Sequence, residues 1–252
     1  LVQTQNSLLM GPRGCGKTTL LKMLTPEAIA YWRDVRLKEE PALEATMALP
    51  EFTAIYIPSD TRWAYELEGA SRLSQTDGIP VARAQRVMVA LSSLHEALGV
   101  FEGLIGDDIR LDQGVALALA DQWRATRVVP TLGHLRLRLQ THASDIRSRL
   151  NLGRVEALHE ALDALPPSWS AHALDALTGT CAAFEATVPK RMRPKRWGLC
   201  FDELETAPEW LQKELLTSLR NVDQRFLLKL TWTPALPQLF ADENRAPRDT
   251  QD

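Results

Sequence analysis

The residues Gly11-Pro12-Arg13-Gly14-Cys15-Gly16-Lys17-Thr18 constrain this chain more than any other stretch, because they fill the pattern G-x-x-x-x-G-K-[ST] completely. The pattern also has the setting it needs. Ser7-Leu8-Leu9-Met10 is a short apolar run that stops at Gly11, as a buried parallel strand does. Residues 17–24 follow as a helix, with Leu20, Leu21 and Leu24 on one face. The glycines let the backbone curl around a phosphate with its N–H groups inward, where a Cβ is expected to clash. The helix starting at Lys17 adds the positive end of its dipole beneath the same anion. Lys17 is expected to neutralise the β- and γ-phosphates and the Thr18 hydroxyl to coordinate Mg²⁺. The expected nucleotide-binding set is Gly11, Pro12, Arg13, Gly14, Cys15, Gly16, Lys17, Thr18 and Thr19. A chance glycine turn would lack the strand before it and the helix after it.

A magnesium ion on a nucleotide needs a carboxylate on its far side, usually through the water shell it sheds reluctantly. Trp197-Gly198-Leu199-Cys200-Phe201 is an apolar strand that ends on Asp202-Glu203. Asp202 is placed for the metal, and Glu203 for orienting or deprotonating an attacking water. The bland alternative, an exposed acidic turn, is weakened by the apolar strand before the pair. Glu205 is an understudy for the base, expected instead to face a helix cap. Phe226–Trp232 reads as another strand, polar at its C-terminal end, the end that faces the ligand crevice in parallel sheets. Thr231 there is a candidate for the γ-phosphate or the water, with plain β-propensity an equal explanation. Asp60 and Arg62 follow the strand Phe52-Thr53-Ala54-Ile55-Tyr56-Ile57 and are weaker candidates.

Strands alternating with helices mean a parallel α/β sheet with right-handed crossovers. Residues 1–60 form its first part and 190–240 its second, with a helix from Pro208 and a polar tail over 241–252. Between them, residues 81–98, 113–125, 132–150, 155–165 and 168–188 all carry helical periodicity. About 130 residues are too many for a loop. The expected fold is therefore an α/β parallel sheet flanked by helices, with a large all-helical insertion over 61–189, between the second strand and the strand ending at Asp202.

At this point the motifs carry a resemblance. The loop at 11–18, the Leu199-Cys200-Phe201-Asp202-Glu203 run and the polar-ended strand at 226–233 resemble the ASCE division of P-loop NTPases. More narrowly, the chain is similar to AAA+ and STAND-type ATPases, including origin-recognition-like ATPases of bacterial signalling and defence proteins. The resemblance covers residues 1–60 and 196–240. It implies ATP rather than GTP, Lys17 and Thr18 as the Walker A pair, Asp202 and Glu203 as the Walker B pair, and Thr231 as a sensor-like residue. Lys17, Glu203 and Thr231 are the implied catalytic set; Thr18 and Asp202 hold the metal. The long helical insertion is not part of a minimal AAA+ core, and neither a fifth strand, an arginine finger nor a lid is recognisable.

Composition sets bounds. A net charge of −3 over 252 residues gives no global reason to expect a nucleic-acid or anionic-membrane partner. There is no run of about eighteen apolar residues, so no stretch is expected to span a bilayer. Cys15, Cys181 and Cys200 fit no zinc spacing and suggest a reducing cytoplasm. The start at Leu1 and the polar end suggest a piece of a longer protein. Residues 190–196 hold Lys190, Arg191, Arg193, Lys195 and Arg196, which would suit nucleic acid; a solvated lead-in to the next strand is the favoured reading. His95, His134, His142, His159 and His172 show no ligand-like pairing.

Three function classes compete. The favoured one is a Mg-ATP-driven switch or motor, working as a homo-oligomer or with a partner protein bound through the helical insertion. An ABC or SMC-like ATPase needs an LSGGQ-type signature, which residues 170–195 lack, and Leu73-Ser74-Gln75 lies too early. A nucleotide-binding assembly module has no need of Glu203. A small-molecule kinase, with the insertion as lid, suits the Asp-Glu pair less well than water activation does.

Overall fold

Four strands, β1 (Ser7–Met10), β2 (Thr53–Pro58), β3 (Trp197–Asp202) and β4 (Phe226–Trp232), form one parallel sheet in the order β1-β4-β3-β2. The computed structural model describes residues 3–36, 50–59, 63, 78–124, 131–152, 155–220 and 223–234. Asp60, Arg62 and the tail at 241–252 lie outside the described residues. A parallel sheet must be covered on both faces. Helices α1 (Lys17–Lys22) and α2 (Pro26–Tyr31) precede β2. Helices α3 (Gly78–Ile105), α4 (Ile109–Gln122), α5 (Leu132–Asn151), α6 (Val155–Asp163) and α7 (Asp175–Thr187) lie between β2 and β3, and α8 (Glu209–Ser218) joins β3 to β4.

Side-chain alternation along the strands assigns the two faces. Ala54, Cys200 and Leu227 pack with Leu21, Leu24 and Phe52 in a small cluster. Ile55, Ile57, Leu199, Phe201, Leu228 and Leu230 face the other way, into a large core shared with α3 to α8. Phe101 of α3 stacks on Phe184 of α7 at 4.2 Å and tilts against Trp197 of β3 at 5.5 Å. The core is therefore continuous from sheet to insertion. On the small-cluster face, Phe52 lies so close over β3 that a Cβ at Gly198 would meet its ring. Lys229 is fully buried in β4, where its ammonium donates to the carbonyls of Gln3 and Gln5 and to Ser7 Oγ. Burial lowers its pKa from the ordinary lysine value.

The helical pattern and the structure differ at several helix ends, most clearly in three places. The first helix stops at Lys22, and Leu20 is 44% exposed while Leu21 and Leu24 are buried. Thr25 ends the run because its hydroxyl caps the next helix at Ala28 N–H, with Pro26 in the first turn. The stretch 168–188 is broken into a short 3₁₀ turn, Pro167–Ser170, and α7. The Ala173 N–H there donates to Glu214 Oε1 at 2.5 Å, so a tertiary bond replaces the helical one. Conversely α3 runs past Gly99 and Gly103 to Ile105 and stops where Gly106 takes φ 64°. Over Val81–Ile105 this helix is long and apolar enough to cross a bilayer by length and hydropathy, but Leu91, Leu94, Leu98 and Phe101 place it as a core helix.

Candidate active site

The site gathers at the C-terminal edge of the sheet, where each of the first three strands hands over to a loop. After β1, Gly14 and Gly16 take φ 78° and 88°. A Cβ at either would meet no protein atom within 4 Å, so within the protein itself it is the left-handed backbone that calls for glycine here. At Gly11 crowding does apply, since a Cβ would lie 2.9 Å from Cys15 Sγ. Gly16 caps α1 without a side chain, so no cap side chain occupies the first-turn N–H groups. Lys17 is 7% exposed, and its ammonium donates to the carbonyls of Gly11 at 2.6 Å and Pro12 at 2.8 Å. Those two bonds hold the charge across the loop. Thr18 is half-buried beside it, while Arg13, Cys15 and Thr19 are exposed.

Asp202 ends β3 on the α1 face of the sheet, 2% exposed, with both carboxylate oxygens in use. Tyr56 donates its hydroxyl to Oδ2 at 2.7 Å, and Thr231 donates to Oδ1 at 2.5 Å. A buried carboxylate is tolerated when donors surround it. Burial, and next its bond to Asp202, push the Tyr56 hydroxyl far above its usual range, so it remains a donor. Sequence reading missed Tyr56. Strand alternation was the available signal, because Ala54 and Tyr56 share the face that carries Asp202.

Glu203 leaves the strand with φ 50° and ψ 46°, a left-handed geometry that costs a non-glycine residue roughly 1–3 kcal/mol. Its N–H donates to Thr231 Oγ1 at 2.9 Å and to Asp202 Oδ1 at 3.0 Å. Leu204, fully buried, anchors the next position, so the Glu203 side chain turns outward and is exposed. It borders a cavity of about 580 Å³ between the end of β2 and helices α3 and α5. Thr231 thus uses its hydroxyl on the carboxylate pair itself, donating to one member and accepting from the other.

The consequence is testable in stability. Thr231→Val removes the hydroxyl at almost constant volume and leaves Asp202 Oδ1 and the Glu203 N–H each one partner short. Unfolding in urea is expected to show a loss of about 2–4 kcal/mol, largely restored by Thr231→Ser. An unchanged midpoint and slope in the valine variant would show that the hydroxyl holds nothing.

The sequence model of the ORC-CDC6-like family matches the chain over residues 1–252. The chain belongs to the ORC-CDC6-like family. It is also similar to the tRNA dimethylallyltransferases of two strains of Corynebacterium glutamicum, at 31% identity over 151 residues, covering 56% of this chain and 46% of each relative. The chain spans about half the length of the curated relatives it matches. No solved structure matches it. As an ORC-CDC6-like chain it is an origin-recognition-like AAA+ P-loop ATPase module.

Other residues of the ORC-CDC6-like chain fall into place around this site. Glu205 accepts the Thr233 N–H at 3.0 Å, so it ties down the end of β4 where a helix-cap role was expected. In the basic run, Arg193 donates to the Val188 carbonyl and Arg196 to the Thr4 carbonyl, while Lys190, Arg191 and Lys195 are exposed. Cys200 is buried directly behind the site, and burial pushes its thiol up to about 12.

Proposed function

We propose that this chain is a Mg-dependent ATP-hydrolysing module. The observation that carries the reading is the placement of the Asp202–Glu203 pair on β3, with β4 between it and the Lys17 loop on β1. Lys17 and the loop N–H groups suit the β- and γ-phosphates, and the Thr18 hydroxyl and the Asp202 carboxylate suit a hydrated Mg²⁺. The donor set is all oxygen, as a hard cation requires. When bound, the ion would neutralise charge on the transferring phosphoryl group. Tyr56 and Thr231 hold the Asp202 carboxylate in one orientation. Glu203, strained outward, holds an exposed carboxylate where it can orient a water and accept its proton.

The test is release of inorganic phosphate from ATP with Mg²⁺, with EDTA, and with Asp202→Asn. Chelation and the asparagine variant are each expected to abolish release, because both remove the metal from the phosphates. Release that persists equally in EDTA would sink the metal-dependent reading.

The module works in this proposal as an oligomer or against a partner protein, in a cytoplasmic signalling or defence protein. Exposed apolar side chains support the helical insertion as the contact surface: Ile109 and Leu117 on α4 and Leu137 on α5 are 69, 53 and 60% exposed. A neighbouring subunit's arginine at the γ-phosphate would add roughly a thousandfold or more to turnover. Turnover per subunit should then rise with protein concentration, and a flat dependence would leave the site acting alone.

A further inference from the structure

The two oxygens of the Asp202 carboxylate are not equivalent. Oδ1 accepts from the Thr231 hydroxyl and from the Glu203 N–H, so both of its lone pairs are used inside the protein. Oδ2 accepts from the Tyr56 hydroxyl at 2.7 Å, and among the described residues no other group donates to it. One lone pair of Oδ2 is left for a ligand.

Strand register explains why a tyrosine fills this place. Pro58 lies opposite Asp202 across the β2–β3 pair and has no donor to offer. Tyr56 lies opposite Cys200, two residues earlier on the same face, and a phenol is long enough to reach forward over that step. The ring is also braced from α1, where the Lys22 ammonium sits over it, 5.3 Å from its centre. Tyr56 is thus held between Asp202 and the helix that begins with Lys17 and Thr18.

We propose that Tyr56 is a positioning residue for the divalent ion, aiming the free lone pair of Asp202 Oδ2 at a metal-bound water. The inference rests on the metal-dependent reading above and adds β2 to the elements that build the site. Thr231 and Tyr56 then have separate work. Thr231 ties Asp202 to its neighbour, through Oδ1 and the Glu203 N–H. Tyr56 fixes the second corner of the carboxylate. Without that bond the group pivots about Oδ1, and Oδ2 is no longer aimed. Hydrogen-bond partners of metal-facing groups typically contribute about ten- to a hundredfold to metal affinity. The effect should also differ between ions. Mg²⁺ demands a near-ideal octahedron and tolerates little misdirection, whereas Ca²⁺ accepts larger and more flexible shells.

The experiment compares the parent with Tyr56→Phe, which removes the hydroxyl and keeps the ring beneath Lys22. Affinity for a fluorescent, non-hydrolysable ATP analogue is measured in EDTA, in Mg²⁺ and in Ca²⁺. In EDTA the two proteins should bind within about twofold of each other, because the hydroxyl touches no phosphate in this reading. In Mg²⁺ the phenylalanine variant should bind about tenfold more weakly, and in Ca²⁺ by less than about threefold. Its melting temperature should fall by only about 2–4 °C, the loss of one hydrogen bond in a chain of this size. Equal weakening in EDTA and in both metals would overturn the inference, since a merely structural tyrosine acts on all three alike. So would a variant that gains as much affinity from Mg²⁺ as the parent does, or more. That outcome leaves the metal-dependent reading standing. A parent that gains nothing from Mg²⁺ would overturn that reading, and this inference with it.

Discussion

Replacing Glu203 with glutamine is expected to leave ATP binding intact and to lower its turnover by about two to four orders of magnitude. The amide keeps the shape of the side chain and cannot accept a proton. Stability should change by less than about 0.5 kcal/mol, because the side chain is exposed and the bonds that hold residue 203 come from its backbone N–H. Binding is checked with a fluorescent ATP analogue and turnover by phosphate release at saturating ATP. If hydrolysis survives in Glu203→Gln while Asp202→Asn abolishes it, the base lies elsewhere. Glu205 is then a poor substitute, since its carboxylate is engaged by the Thr233 N–H. A loss of turnover matched by an equal loss of affinity would instead make Glu203 a binding residue.

The second large effect belongs to Lys17. Lys17→Ala should weaken ATP binding by roughly a hundredfold or more, since two charge-assisted contacts to phosphate disappear together. It also frees the carbonyls of Gly11 and Pro12, which the ammonium bridges at 2.6 and 2.8 Å. Loop order and phosphate affinity should therefore fall together. Lys17→Arg is not expected to restore binding, because a planar guanidinium cannot place a compact charge where an ammonium sits across two carbonyls. Calorimetry with ATP and Mg²⁺ on the three proteins decides it, and an unchanged dissociation constant in the alanine variant would remove the loop from the site.

Much of the site was legible in the chain because its chemistry is local. The loop from Gly11 to Thr18 is contiguous, and its strand-turn-helix setting can be read from neighbouring residues. Asp202 and Glu203 stand at the end of an apolar run short enough to be a buried strand, and Phe226–Trp232 was readable for the same reason. The helices of the insertion were visible as periodicity, though their ends were not. Thr25 stopped the first helix through a cap, and Glu214 took the Ala173 N–H and broke another. Both events depend on one hydrogen bond that periodicity does not encode.

What the sequence by itself determined, then, was the class of fold and the candidate groups it presents at one edge of the sheet. Tertiary structure alone decided how those groups are held. The order β1-β4-β3-β2 puts Thr231 beside Asp202 although 29 residues separate them, and Tyr56 reaches the same carboxylate from 146 residues away. Propensity assigned Thr231 to a strand equally well with or without a polar task, and Tyr56 read only as a β-former. Their hydroxyls acquire work because the sheet buries Asp202 to 2% exposure, and a carboxylate so deep must have donors. Local pattern names residues that act on a ligand, whereas long-range packing selects the ones that orient them, because their partners lie on other strands and helices.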